Sequence, residues 1–288
     1  MDERAALALL GDALPEAGDD CAVVDGQVLT TDMLHETTDF PTGTTRYTAG
    51  WRAVGASLSD VAAMGATATA AVAVYAAPTF EATQLEDFLR GAREVCDRVG
   101  AEYVGGDLDD HGEFTVSTTA LGRTDDPVTR AGATPGEAVC VTGTLGRSAA
   151  ALRLFEADPE RANDLFRFVP RIAAGEALAP HATAMMDSSD GLARSLHQLA
   201  TASDCGFAVE ADALPVDPVV EAVARNPTDE RELAVHFGED FELVFTTPDP
   251  AAAAAVSPTP VARVGSVTAE GVRLDGEPLA DRGYTHGG

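Results

Sequence analysis

Several short segments of the chain set aspartate beside glycine, serine or threonine: Gly18-Asp19-Asp20-Cys21-Ala22, Thr30-Thr31-Asp32, Leu58-Ser59-Asp60, Gly105-Gly106-Asp107 and Asp187-Ser188-Ser189-Asp190-Gly191. Brought together, such carboxylates cannot all stay ionised unless cations neutralise them, because like charges at short range raise one another's pKa. Hard divalent cations do this with oxygen ligands, and Mg2+ characteristically links carboxylates to substrate phosphates. The small neighbours let the backbone approach a phosphate, and a helix beginning after Asp187 would offer N–H groups to an anion. Gly105, Gly106, Ser188 and Ser189 are therefore candidate phosphate contacts, and the chemistry indicated is that of a Mg-nucleotide site. Each segment also has a plain structural reading: a turn at Gly-Asp-Asp, a solvated helix face at Ser59-Asp60, a loop at Gly-Gly-Asp, and a helix start with Asp187 as N-cap and Asp190 at N3. A further acidic segment, Phe237-Gly238-Glu239-Asp240-Phe241-Glu242-Leu243, runs into strand-like Val244-Phe245-Thr246. Gly238 is expected to permit a backbone angle that presents Glu239 at the strand entrance.

Elements that hold these residues can be read from periodicity. Cys21–Val24 and Gln27–Thr31 read as short strands split by the turn dipeptide Asp25-Gly26. From Arg46 to Met64, Trp51, Val54, Leu58 and Val61 recur at three- and four-residue steps, which predicts a helix closed by Gly65. Thr69–Tyr75 reads as a buried strand, Gln84–Val99 as an amphipathic helix stopped by Gly100, and Glu102–Val104 and Phe114–Leu121 as further strands. Thr124–Gly136, rich in Thr, Asp, Pro and Gly, reads as a boundary. Beyond it come strand Ala138–Thr142, a helix near Ser148–Phe155, strand Thr183–Met186, helix Gly191–Thr201, strands Phe207–Val209 and Leu243–Thr246, a helix in the alanine run before Pro258, and a strand near Val261–Val267. Strands alternating with crossover helices predict an α/β (α+β) fold. Thr30-Thr31-Asp32, Gly105-Gly106-Asp107 and Asp187 are each expected just beyond a strand, where α/β folds bind ligands.

Composition narrows the field. With 288 residues, 45% of them hydrophobic, the chain can bury a sizeable core, and its length favours two domains. The formal charge is −28, and every basic side chain is arginine. Without lysine there is no phosphate-loop lysine, no Schiff-base lysine and no basic nucleic-acid stripe. Arg130 and Arg147 are the candidates for a cation on phosphate, a solvated helix start being the alternative for Arg147. Acids spread along the whole chain read as a surface adapted to a salt-rich cytoplasm. The four cysteines lack metal spacing and no signal peptide is recognised, so they are expected to be reduced, in a cytoplasmic protein. No apolar run approaches the ~20 residues of a membrane span. The six histidines show no zinc spacing, and no serine sits in a nucleophile elbow.

Taken in order, Gly18-Asp19-Asp20-Cys21-Ala22, Thr30-Thr31-Asp32-Met33-Leu34, Leu58-Ser59-Asp60 with its Val-Ala-Ala-Met-Gly-Ala continuation, Gly105-Gly106-Asp107, Thr129-Arg130-Ala131-Gly132, Val141 to Gly146, Asp187 to Leu192 and Gly238 to Leu243 closely resemble the thiamine-monophosphate kinase family, within the superfamily of aminoimidazole ribonucleotide synthetase. The resemblance runs from about Gly18 to Tyr284. It implies a two-domain synthetase-like fold: residues 1–133 as an ATP- and Mg-binding, dimerising domain whose sheet forms a barrel across a homodimer, and residues 134–288 as a C-terminal α/β sandwich. It implies ATP-dependent phosphorylation of thiamine monophosphate to thiamine diphosphate. Carried over position by position, Asp20, Thr30, Thr31, Asp32, Asp60, Asp107, Asp187 and Asp190 match residues that hold several Mg2+ ions, while Gly106, Asp107, Arg130 and Ser189 match ATP contacts. On the substrate side it implies Glu239 and Tyr284, and also position 39, where this chain has Asp39 before Phe40 and several relatives have histidine. A K+ requirement is left open.

That mechanism needs no catalytic side chain, since phosphoryl transfer rests on positioning and charge neutralisation and the acceptor phosphate is already ionised. The alternatives are another ATP-using member of the superfamily, a metal-dependent phosphatase, or an acidic surface with no site. A selenophosphate synthetase would want a reactive cysteine and a lysine near the start, and a hydrogenase-maturation relative a terminal cysteine. A site requires the acids to share one cleft; a salt-adapted surface leaves them scattered and exposed.

Overall fold

A computed structural model describes residues 13–14 and 18–283. Tyr284 lies outside them. In the first unit, strands β1 (Ala22–Val24), β2 (Gln27–His35), β3 (Thr67–Ala77), β4 (Glu102–Asp110) and β5 (Thr115–Arg123) form a sheet in the order β1-β2-β5-β3-β4. All neighbours are antiparallel except β3 and β4, which are parallel and joined through helix α2 (Ala82–Val99). Helix α1 (Arg46–Ala63) packs with α2 on one face. It is capped by Thr45, which accepts from the Thr48 N–H, and nearly every residue along it is buried. The two helices approach so closely that a Cβ built on Gly50 would lie 2.3 Å from the Phe88 carbonyl, and one on Gly91 would lie 2.0 Å from that of Tyr47. Beneath them Phe88, Phe114 and Tyr75 interlock with ring centroids 5.0–6.2 Å apart. Among the described residues the opposite sheet face is left uncovered: Leu29, Met33 and Val74 are among its exposed apolar side chains.

The second unit is a seven-stranded sheet containing β6 (Ala138–Thr142), β7 (Ala184–Asp187), β8 (Gly206–Val209), β9 (Leu243–Thr247), β10 (Val261–Thr268), β11 (Val272–Leu274) and β12 (Glu277–Pro278), ordered β12-β11-β8-β10-β6-β9-β7. Helices α3 (Arg147–Leu154), α4 (Pro159–Phe166), α5 (Ile172–Leu178), α6 (Leu192–Ser203), α7 (Pro218–Val223), α8 (Pro227–Val235) and α9 (Pro250–Val256) complete it. The fold is thus mixed α/β with two sheets, as expected. Its two units share a core: Met185, Leu243 and Phe245 pack in one cluster with Leu58, Met64 and Phe114.

Two expectations about placement are corrected. Thr30–Asp32 and Gly105–Asp107 lie inside β2 and β4 and not beyond their ends, because both strands continue in register with their neighbours for several further residues. Helix α6 begins at Leu192 with Gly191 at its N-cap, so Asp187 and Asp190 are not its cap and N3 residues; Asp187 instead ends β7, paired with Leu243. The four cysteines are free thiols, three of them buried. Among the described residues no helix is long and apolar enough to cross a membrane.

Candidate active site

The acids nearest one another come from three places in the chain. Asp20 precedes β1, Asp60 lies in the last turn of α1 and Asp187 ends β7; one carboxylate oxygen of each lies within 4.8 Å of the others. Ser59 donates to Asp187 Oδ2 (2.6 Å), tying the two units together, and Thr30 on β2 donates to Asp60 Oδ2 (2.6 Å). Asp187 is 1% exposed, and its Oδ1 makes no hydrogen bond to the described residues. Burial raises the pKa of both Asp60 and Asp187, and the neighbouring carboxylates push in the same direction. A buried acceptor with no donor, among acids that cannot ionise together, is a donor set suited to a hard divalent cation. The residues present fit Mg2+.

Arginine balances part of this charge. Arg130 lays its fork on Asp20, with Nη2 2.8 Å from Oδ1 and Nε 3.3 Å from Oδ2, while its backbone N–H donates to Asp19 (2.7 Å). A guanidinium is suited to this bidentate contact and equally to phosphate oxygens.

Not all the predicted residues converge. Asp32 shares the helix-covered face of β2 with Thr30, and its charge is felt by Asp60 and Asp187. Thr31 points to the other face, donating to the Thr118 carbonyl (2.9 Å). Gly106 and Asp107 lie on the edge strand β4, which is separated from β2 by β5 and β3. Asp107 is exposed and stands opposite exposed Val74, so within one chain it is remote from the acid cluster. Asp39 accepts from the His35 N–H (2.7 Å) and lines a cavity of about 720 Å³ with Phe40, Arg46 and Leu152. Arg147 reaches the Asp164 carbonyl (3.3 Å) from the start of α3.

The segment that follows β7 and the segment that leads into β9 stay zipped past the end of the ladder. Ser188 N–H donates to the Glu242 carbonyl (2.8 Å), Phe241 N–H to that of Ser188 (3.3 Å) and Glu239 N–H to that of Ser189 (2.6 Å). Gly238 has φ 84°, as its sequence context suggested, and Glu239 and Phe241 also take left-handed angles, 63° and 54°. Non-glycine residues seldom hold such angles unless their surroundings enforce them. Here Asp240 receives the N–H groups of Gly146 (2.5 Å) and Ser148 (3.0 Å), and Glu242 receives Arg171 Nε (2.7 Å) and the Thr142 hydroxyl (2.7 Å). The loop bearing Glu239 and the loop bearing Ser188, Ser189 and Asp190 therefore form one rigid double turn. Sequence reasoning passed over Arg52, Ser148 and Arg171 in this arrangement.

Residues 18–124 match the family described as AIR synthase related protein, N-terminal domain, and residues 134–276 match its C-terminal domain. The chain is 64% identical to a thiamine-monophosphate kinase of Halobacterium salinarum over 99% of this chain and 100% of that one. The chain belongs to the thiamine-monophosphate kinase family. A second family member, from Methanospirillum hungatei, is 38% identical over 99% of both chains. Among solved structures, "AaThiL complexed with AMPPCP and TMP" shares 30% identity with a TM-score of 0.89, covering 99% of this chain and 97% of that one. The family member from Stenotrophomonas maltophilia shares 32% identity with a TM-score of 0.82, covering 91% and 90%.

Proposed function

We propose that this chain is an ATP-dependent kinase that transfers the γ-phosphoryl group directly to the phosphate of thiamine monophosphate, giving thiamine diphosphate. The observation that carries this reading is the cluster of Asp20, Asp60 and Asp187, with the unpartnered Asp187 Oδ1, in a chain 64% identical to a kinase of that name. Asp20, Asp60 and Asp187, with Thr30, Asp32 and Asp190, are assigned to Mg2+, several ions in all; Thr31 and Asp107, which the sequence also marked for Mg2+, do not reach this cluster within one chain. Mg2+ bound there supplies the charge neutralisation that lets two phosphate anions approach. The chain's own contribution is positional. Arg130 can release part of its fork from Asp20 to a nucleotide phosphate; Ser189, in the turn after β7, and Gly106, on the edge strand β4, are assigned to ATP as small residues whose backbone a phosphate can approach. Asp39, Glu239 and Tyr284 are assigned to the substrate. No side chain is asked to remove a proton, since the attacking phosphate oxygen is already ionised.

The reading includes a homodimer built through the bare face of the first sheet, with residues 1–133 as the nucleotide-binding and dimerising domain and 134–288 as the C-terminal domain. Exposed Leu29, Met33 and Val74 support it. So does the distance of Asp107 from the acid cluster, which suits a nucleotide site lying near the joint between two copies. We assign the enzyme to the cytoplasm. Incubation with Mg-ATP and thiamine monophosphate in high salt, followed by chromatography, tests the activity: thiamine diphosphate is expected, and release of inorganic phosphate alone would mark a phosphatase instead.

A further inference from the structure

Arg52 sits on α1, outside every motif that marked the site, and its side chain is 3% exposed. Nη1 donates to the Phe166 carbonyl and lies 3.3 Å from the Ser148 hydroxyl; Nη2 donates to Glu239 Oε2 and lies 3.4 Å from the Glu239 carbonyl. The guanidinium lies over the Phe166 ring, 3.6 Å from its centroid, with the rings of Phe168 and Phe241 at 5.3 and 5.4 Å. Those two rings stack on each other at 4.2 Å. Ser148 donates to the Glu239 carbonyl (2.6 Å), so the same small group of residues grips both the backbone and the side chain of Glu239.

A guanidinium enclosed this fully is costly unless a carboxylate meets it. Glu239 is the acid in hydrogen-bonding contact with it among the described residues, and Glu239 itself remains a quarter exposed. The pair is thus asymmetric: the cation is sealed in, and the anion reaches the surface of the rigid double turn. Arg52 occupies Oε2 only, and Oε1 makes no hydrogen bond to the described residues. One fork spans two fixed anchors, the Phe166 carbonyl and the Glu239 carboxylate, which a single ammonium cannot span in the same way.

We propose that Arg52 is a positioning residue for the phosphoryl acceptor: acting through Glu239, it fixes the carboxylate that meets the organic cation of thiamine monophosphate, and so governs affinity for that substrate and not for ATP. The inference rests on the assignment of Glu239 to the substrate. A purely structural arginine would lower the unfolding temperature and leave the ratio of the two Michaelis constants alone.

The test compares wild type, Arg52→Lys, Arg52→Met, Glu239→Gln and the double variant Arg52→Lys/Glu239→Gln, with thermal unfolding measured for each. Wild-type formation of thiamine diphosphate comes first; its failure would remove the reading of the site itself. Given that activity, Arg52→Lys, which keeps the charge and the stem, is expected to raise KM for thiamine monophosphate about tenfold while KM for ATP and kcat stay within about twofold. Arg52→Met is expected to raise it further. If burial makes the methionine variant unfold, the lysine variant carries the test. In the Glu239→Gln background, Arg52→Lys should add less than about twofold, because the carboxylate it positions is gone. Equal changes in both Michaelis constants, or Arg52 and Glu239 effects that multiply, would overturn the proposal.

Discussion

Asp187 is the residue on which the site turns, because it is wholly buried, donor-poor on one oxygen and surrounded by like charge. Asp187→Asn keeps the shape and the contact from Ser59 while removing a charge that only a cation can offset. Turnover should fall on the order of a hundredfold or more, the protein should melt higher than wild type in EDTA, and added Mg2+, expected to raise the melting temperature of wild type, should no longer raise that of the variant. Asp240 makes a different prediction. Burial lifts its pKa from 3.8 to about 7, so the fold holds a proton that the unfolded chain has already lost. The stability this contributes is complete below pH 3.8 and is lost as pH rises through 7. Asp240→Asn should therefore flatten the pH profile of stability between about 4 and 7, measured by urea unfolding, at a constant cost of about 1–3 kcal/mol for one N–H left facing an amide. The acids of the cluster were legible because each stands beside small residues. Arg52 was not: in the sequence it is one polar residue in an apolar helix, and nothing in its spacing points to Glu239.

Helices α1 and α2 can cross closely because Gly50 and Gly91 lack side chains at the contact. Gly91→Ala would set a methyl 2.0 Å from the Tyr47 carbonyl and 2.9 Å from the Trp51 nitrogen, both backbone atoms. Destabilisation of about 1–3 kcal/mol is expected, read from the urea midpoint, and because α1 carries Ser59 and Asp60, Mg2+ affinity should weaken with it. These two helices and most strands were legible from periodicity. The short helices α4, α7 and α8 were not, since six to nine residues give too few turns for an apolar stripe. A local signal did exist: each starts at an Asp-Pro or Asn-Pro pair, the acid or amide accepting a first-turn N–H and the proline at N1, as Asp249-Pro250 also does for α9. The interior position of Gly106 in β4 was hidden for another reason. Glycine reads as a strand terminator, yet here a Cβ would strike the Ala73 carbonyl at 1.8 Å, so glycine is what keeps β4 against β3.

A net charge of −28 repels itself, and screening shortens its reach from about 10 Å at 0.1 M salt to about 3 Å at 1 M. The melting temperature should accordingly climb steeply between 0.1 and 2 M KCl; a flat profile would mean that the acids are too well dispersed to matter. Composition revealed this much of the whole molecule, but not that an acid on a far edge strand stands apart from the others. If Asp107 completes a site near the joint between two copies, Asp107→Asn and Asp187→Asn, each inactive alone, should regain about a quarter of wild-type turnover when their subunits are exchanged, since half the dimers then carry one intact site of two. No recovery would place both acids of each site on one chain. The tie between Ser59 and Asp187 spans 128 positions. A polypeptide still leaving the ribosome has made Asp20, Thr30 and Asp60 long before Asp187 exists, so the acid cluster closes only when the second half of the chain docks on the first.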